Sequence, residues 1–303
     1  MNASCFRGPP ERSTMSVQHI AQGSRKLCAP RFALALVSIS VFVQCAGLFG
    51  GAGSVLVSDA DEAKLGAQFD NTLRTNDTAK REMPIFVPRN QAQMEMQNYI
   101  VGLAQEIVAF LPENEKPAYN FTYTLIDKDV ENAFAVPGGY VYIYTGILKK
   151  MQDESELIGV LGHEITHVTH HHYRRQVAKN EALGLALQVA LNSTNAGQVG
   201  QLAAGAAGQL ASLKFTRSDE TEADKGGTLS LGRTGRNPMG IAKYFTRAQS
   251  TGAPEWLSDH PGNGNRVKAV TKLVQADPKL RALAADAAHT DFRDRYQQHI
   301  SAL

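Results

Sequence analysis

His163, Glu164 and His167 stand in the order His-Glu-x-x-His. On a helix, positions four apart share one face about one turn apart, so the two imidazoles can converge on a single ion. Imidazole nitrogens at that spacing suit zinc. The Glu164 carboxylate comes round beside the same ion, where it is placed to take a proton from a metal-bound water. The pattern reads as the centre of a hydrolytic site with one Zn(2+) per chain.

Zinc used for catalysis takes three protein ligands and keeps a fourth position open. His171 continues the i, i+4, i+8 series, but it lies about 12 Å along the axis from His163, too far for two bonds of about 2 Å to meet. The metzincin spacing fails too: it needs Gly at position 170 and His at position 173, where the chain has His170 and Tyr173. His170, His171 and His172 are therefore expected to be solvated at the helix's negative end. A carboxylate from a second helix is the remaining solution, and the stretch from Phe215 to Asp224 offers Asp219, Glu220, Glu222 and Asp224.

These residues need elements to hold them. Asp153-Glu154-Ser155-Glu156 opens a helix with acid in its first turn, and Leu157, Val160, Leu161, Ile165 and Val168 supply its buried stripe. Upstream, residues 120–126 alternate Phe121, Tyr123 and Leu125 with threonines, and residues 140–145 alternate again, which predicts two short strands. Between them Pro137, Gly138 and Gly139 suit either a plain hairpin connection or a bulged edge strand. On the second reading Val136, Gly138, Gly139 and Tyr140 form an edge to which an extended peptide adds through its main chain. Amphipathic helices are expected over residues 59–73 and 91–110, the latter with Met96, Ile100, Leu103 and Ile107 on one side. An extended linker at Pro84 and Pro88 joins them. The fold class is α+β, mainly helical with a small sheet.

With 31 basic and 29 acidic residues among 303, the chain carries a formal charge of +2, which suggests neither a nucleic-acid surface nor an acidic tail. The N-terminus differs from the rest. Arg25, Lys26 and Arg31 precede the uncharged run 32–43 and then small residues, the pattern of an export signal, with cleavage near Ala46 or within residues 50–53 and Met15 as an alternative start. A retained anchor over residues 32–57 is the alternative, weakened by Gln44 and four glycines. Lipid attachment at Cys45 is a third, with Gln44 where a small residue is wanted. Residues 1–58 are thus read as a targeting segment and 59–303 as one domain. All three cysteines, Cys5, Cys28 and Cys45, fall in that segment, so the metal ligands must be histidine and carboxylate. No residue of 182–213 is charged, but its polar interruptions favour two core helices over a membrane hairpin, with a membrane-touching flap as the other possibility.

The segments Leu161-Gly162-His163-Glu164-Ile165-Thr166-His167-Val168 and Glu220-Thr221-Glu222-Ala223-Asp224 together resemble the CaaX prenyl protease and HtpX family of zinc metallopeptidases, a gluzincin group. Residues 132–148 and His260-Pro261 match as well, so the resemblance runs from about position 59 to position 266. It is strongest to the soluble exported branch that includes the beta-barrel assembly-enhancing proteases, here without their repeat domain, since only short helical patterns extend from Arg266 to Leu303. The resemblance implies a zincin-type fold, Glu220 as third ligand, and Asp224 one turn further on, holding a ligand histidine. Glu222 and Asp219 are then expected on a solvated acidic face. In some members the histidine matched by His260 approaches the metal and restrains the resting enzyme; on chemistry alone, His260 or Arg266 can donate to the oxyanion on the scissile carbonyl. Lys225-Gly226-Gly227-Thr228 departs from the bulkier residues expected there, which bears on helix packing.

The function implied is a zinc-dependent endopeptidase acting on misfolded or stalled envelope proteins in the periplasm. Its partners would be protein substrates and the outer-membrane assembly machinery, with membrane contact only through the N-terminal segment or the 182–213 flap. The competing reading is a zinc-containing chaperone or assembly factor without turnover.

Overall fold

The computed structural model describes residues 58–179, 214–251, 254–260 and 265–303. Expectations placed on residues 1–57, 182–213 and 261–264 lie outside the described residues.

Helix α1 (Asp59–Thr75) begins at a capping box, in which Ser58 Oγ accepts from the Asp61 N–H and the Asp61 carboxylate accepts from the Ser58 N–H. The short α2 (Asp77–Glu82) follows, capped by Asn76. Phe86 then donates its N–H to the Leu125 carbonyl, and Ile85 bridges Ile126, so the proline-flanked linker runs along one edge of the sheet. Helix α3 (Gln91–Ala109) buries Met96, Ile100, Leu103 and Ile107, the spacing the sequence predicts.

The sheet has three strands: β1 (Thr122–Ile126), β2 (Ala133–Val136) and β3 (Tyr140–Tyr144), in the order β1-β3-β2. β3 is parallel to β1 and antiparallel to β2. The connecting stretch is thus both a strand and a hairpin turn. Gly138 and Gly139 turn it at φ 84° and 85°, a region side chains rarely adopt, and a Cβ on Gly138 would stand 2.5 Å from the Glu62 carbonyl oxygen on α1. The open edge expected at Val136, Gly138, Gly139 and Tyr140 is corrected accordingly. Val136, Gly138 and Gly139 are buried in or beside the turn, Tyr140 belongs to the central strand, and the edge nearest the histidine helix is β2.

After α4 (Thr145–Lys150) comes α5 (Glu154–Thr169), capped by Asp153, which accepts from the Glu156 N–H at 3.1 Å. The remaining described helices are α6 (His172–Lys179), α7 (Arg217–Arg233), α8 (Gly240–Thr251), α9 (Glu255–Asp259), α10 (Asn265–Ala276), α11 (Pro278–Ala285), α12 (Ala287–Thr290) and α13 (Arg293–Ile300). Every residue of α5 is buried, because β2, α3, α7 and α8 pack around it. Its acidic first turn does more than complement the dipole. Asp153 accepts from Lys243 at 2.7 Å, Glu154 from Tyr99 at 2.6 Å and from Arg236 at 3.2 Å, and Glu156 from Arg247. Buried carboxylates need such partners, and these tie the C-terminal helices to α5.

α5 and α7 cross at close range. A Cβ on Gly226 would collide with Thr166 Oγ1, and one on Gly162 would lie 2.9 Å from the Ser230 Cβ. The glycines at 162, 226 and 227 are therefore what lets the two helices approach. Among the described residues no helix is long and apolar enough to cross a membrane.

Candidate metal centre

His163 and His167 project from α5 on one face, with their Nε2 atoms 2.9 Å apart. The crossing with α7 brings Glu220 opposite them: its Oε2 is 3.5 Å from His163 Nε2 and its Oε1 is 3.6 Å from His167 Nε2. His260, at the end of α9, adds Nδ1 at 3.2 Å from His163 Nε2 and 3.1 Å from Glu220 Oε1. Zinc bonds of about 2.0–2.1 Å in a tetrahedron put donor atoms about 3.3 Å apart, so donors at these separations can share one ion. Glu220 Oε2 gives a second sign. It is buried without a hydrogen-bond partner among the described residues, the nearest cation being Arg266 Nη1 at 3.3 Å. Such an oxygen is costly unless a positive charge meets it.

Burial pushes His163 and His167 well below the usual histidine range, helped by the positive groups around them. A neutral imidazole is the form that binds metal. For His260 burial also pulls downward, but the Glu164 and Glu220 carboxylates outweigh it and the net shift is upward. Burial raises the Glu164 carboxyl to about 7. One oxygen of Glu164 accepts from the Trp256 indole at 2.8 Å and lies 3.3 Å from His260 Nε2; the other accepts from the Ala135 N–H at 3.2 Å. The Ala135 carbonyl in turn accepts from the Tyr173 hydroxyl. Both outward main-chain groups of Ala135, on the edge strand, are thus taken by side chains.

Asp224 Oδ1 lies 3.0 Å from His163 Nδ1. Burial raises its pKa, and Arg266 works against that by donating Nε at 2.6 Å and Nη2 to the two carboxylate oxygens. Arg266 Nη1 donates to the His260 carbonyl at 2.7 Å, and the guanidinium sits 4.2 Å from the Phe245 ring centre. With its three nitrogens engaged by Asp224 and the His260 carbonyl, Arg266 braces the centre here. His260 points into the donor cluster itself.

Two expectations are corrected. Asp219 is buried, not on a solvated face: it closes a capping box with Thr216 and accepts from Arg175 and Gln176. Despite the burial, the Thr216 and Arg175 hydrogen bonds hold it at about 2. Glu222 is half-buried and turned to His170, His172 and Arg175. The histidine run is not simply a solvated helix end either. α5 stops at Thr169, His171 takes a left-handed φ of 52°, and α6 folds back so that buried His172 meets His167, Nδ1 to Nδ1, at 2.7 Å. His170 and His171, half-buried, pair with Glu222 at 2.7 Å and Glu62 at 3.0 Å.

Sequence reasoning missed four residues at the centre: His172, Tyr173, Trp256, and Phe215, whose ring stacks on His167 at 3.8 Å. Only Trp256 gave a signal. It is the sole tryptophan and precedes His260 by four positions.

A helical frame with a small sheet laid beside the His-Glu-x-x-His helix is the architecture of the zincin-type metallopeptidases. Residues 91–274, more than half of the chain, match peptidase family M48, and the chain belongs to that family. It is 31% identical over 211 residues to a Vibrio cholerae protein named among the beta-barrel assembly-enhancing proteases, covering 65% of this chain and 42% of the relative. The Yersinia pestis beta-barrel assembly-enhancing protease is 29% identical over 202 residues, covering 62% and 41%. The human mitochondrial metalloendopeptidase OMA1 is 26% identical over 179 residues, covering 54% and 34%. The matched part spans less than half the length of each of these relatives. Membership of a metallopeptidase family implies a metal, and His163, His167, Glu220 and His260 form a buried cluster able to hold one.

Proposed function

We propose that this chain is a zinc-dependent endopeptidase that cleaves misfolded or stalled proteins of the cell envelope. The observation that carries the reading is the convergence of His163, His167 and Glu220 donor atoms on one point beside the Glu164 carboxylate. Two imidazoles and a carboxylate, without thiolate, suit zinc, which when bound supplies Lewis acidity and an acidified water.

The chain's own residues do the rest. Glu164 accepts the proton of the attacking water and delivers it to the leaving amine, with the Trp256 indole fixing one of its oxygens. Asp224 fixes His163 through Nδ1, and Arg266 fixes Asp224. His260 stands at the fourth corner of the cluster, which makes this the resting arrangement: its ring must leave before a substrate carbonyl enters. An extended peptide pairs with β2 once Glu164 and Tyr173 give up Ala135, and main-chain pairing of that kind tolerates varied sequences.

The envelope assignment rests on the names of the relatives and on the export pattern within residues 1–58, with 59–303 as the peptidase domain in the periplasm. Outer-membrane assembly machinery is the matching partner. Casein cleavage by purified protein and by a His260→Ala variant tests the activity. Cleavage that stops with a chelator and returns with one equivalent of zinc supports it; no cleavage by either zinc-loaded protein overturns it.

A further inference from the structure

We propose that His172 is a positioning residue of the metal centre, fixing the tautomer and ring plane of His167. This rests on the reading of His163, His167 and Glu220 as metal ligands. His167 presents Nε2 to the donor cluster, so its proton is on Nδ1, and the atom facing that proton is His172 Nδ1 at 2.7 Å. His172 must therefore accept there and carry its own proton on Nε2. The structure provides the acceptor for it: Glu222 Oε2 lies 3.3 Å from His172 Nε2. Arg175 holds that same oxygen at 2.8 Å, and His170 binds the other at 2.7 Å, so Glu222 is fixed in turn. The chain of bonds runs from His167 through His172 to Glu222, parallel to the one from His163 through Asp224 to Arg266. Each histidine has a separate brace, one a carboxylate and one an imidazole. The second is supplied by the turn at His171 that ends α5.

His170, His172 and Glu222 also lie close enough to suggest a second cation site. The tautomer argument weighs against it. A neutral His172 ring that accepts from His167 through Nδ1 has no lone pair left on Nε2 for a metal, and Arg175 already occupies the Glu222 oxygen.

The test measures zinc affinity by competition with a chromophoric chelator, together with the visible spectrum of the cobalt-substituted protein. His172→Leu, which fills the site without an acceptor, is expected to weaken zinc binding 10- to 100-fold, the effect typical of losing such a support, and to alter the cobalt spectrum. His172→Asn places Oδ1 near the lost Nδ1 and is expected to restore affinity to within about threefold. Wild-type affinity in His172→Leu overturns the proposal, as does an asparagine variant as weak as the leucine one, which would mean that only the ring's bulk matters. Should the leucine variant not fold, nitrogen-15 spectra of the zinc-loaded wild type decide: a proton on His172 Nε2 supports the proposal and one on Nδ1 overturns it. His167→Ala tests the ligand reading separately. If it keeps full zinc that reading fails, whereas zinc loss there with unchanged affinity in His172→Leu overturns this inference alone.

Discussion

Gly227 on α7 lies against Gly159 on α5 so closely that a Cβ on Gly227 would stand 2.5 Å from the Gly159 carbonyl oxygen. That contact sets the distance between the helix that carries both histidines and the helix that carries Glu220. Gly227→Val forces the backbones apart, and overpacking of this kind costs about 1–3 kcal/mol. A lower urea midpoint and weaker zinc binding are both expected. An unchanged midpoint would show that the crossing relaxes without strain.

Arg266 grips Asp224 with two nitrogens, and both residues are buried. Breaking a buried pair by removing one partner costs about 3–5 kcal/mol, because the other charge stays behind. Lysine keeps the charge but not the two-pronged geometry. Arg266→Lys is therefore expected to lower the melting temperature and the metal affinity, with Arg266→Met losing more. Thermal unfolding and chelator competition measure the two effects, and wild-type values in both variants would remove Arg266 from the account.

His260 contacts His163, Glu220 and Glu164 at once. If it closes the fourth corner at rest, His260→Ala opens the centre, and casein cleavage is expected to rise severalfold over wild type with zinc retained. Cleavage that falls to the uncatalysed level would instead make His260 a donor to the reacting carbonyl and nothing more.

Glu164→Gln keeps the hydrogen bond from the Ala135 N–H but cannot take a proton. Loss of a general base typically costs 10²- to 10⁴-fold, so cleavage should drop by about that factor while zinc remains bound. This separates the enzyme from a zinc-containing chaperone, for which the same substitution leaves client binding and biological function intact.

How much of this was legible beforehand follows from the range of each interaction. The i, i+4 spacing of His163 and His167 and the apolar periodicity of α3 are local, and a single helix's geometry dictates both. The sheet was only half legible, because residues 132–139 carry turn residues and strand residues together, and only packing on α1 separates β2 from the Gly138–Gly139 turn. The fate of His172 was not legible at all. A straight helix would carry it away from the centre, and the left-handed turn at His171 that brings it back is imposed by tertiary contacts, among them the His171 pairing with Glu62 on α1. Asp219 was misread for a related reason: its capping box is local, but its burial under Arg175 and Gln176 depends on α6 folding over α7.

The account stands most directly on where the metal sits. Anomalous diffraction at the zinc edge from crystals of the zinc-loaded protein is expected to show one peak within about 2.0–2.2 Å of His163 Nε2, His167 Nε2 and a Glu220 oxygen. A zinc-loaded crystal with no peak at that point, or with its peak among His170, His172 and Glu222, would contradict it.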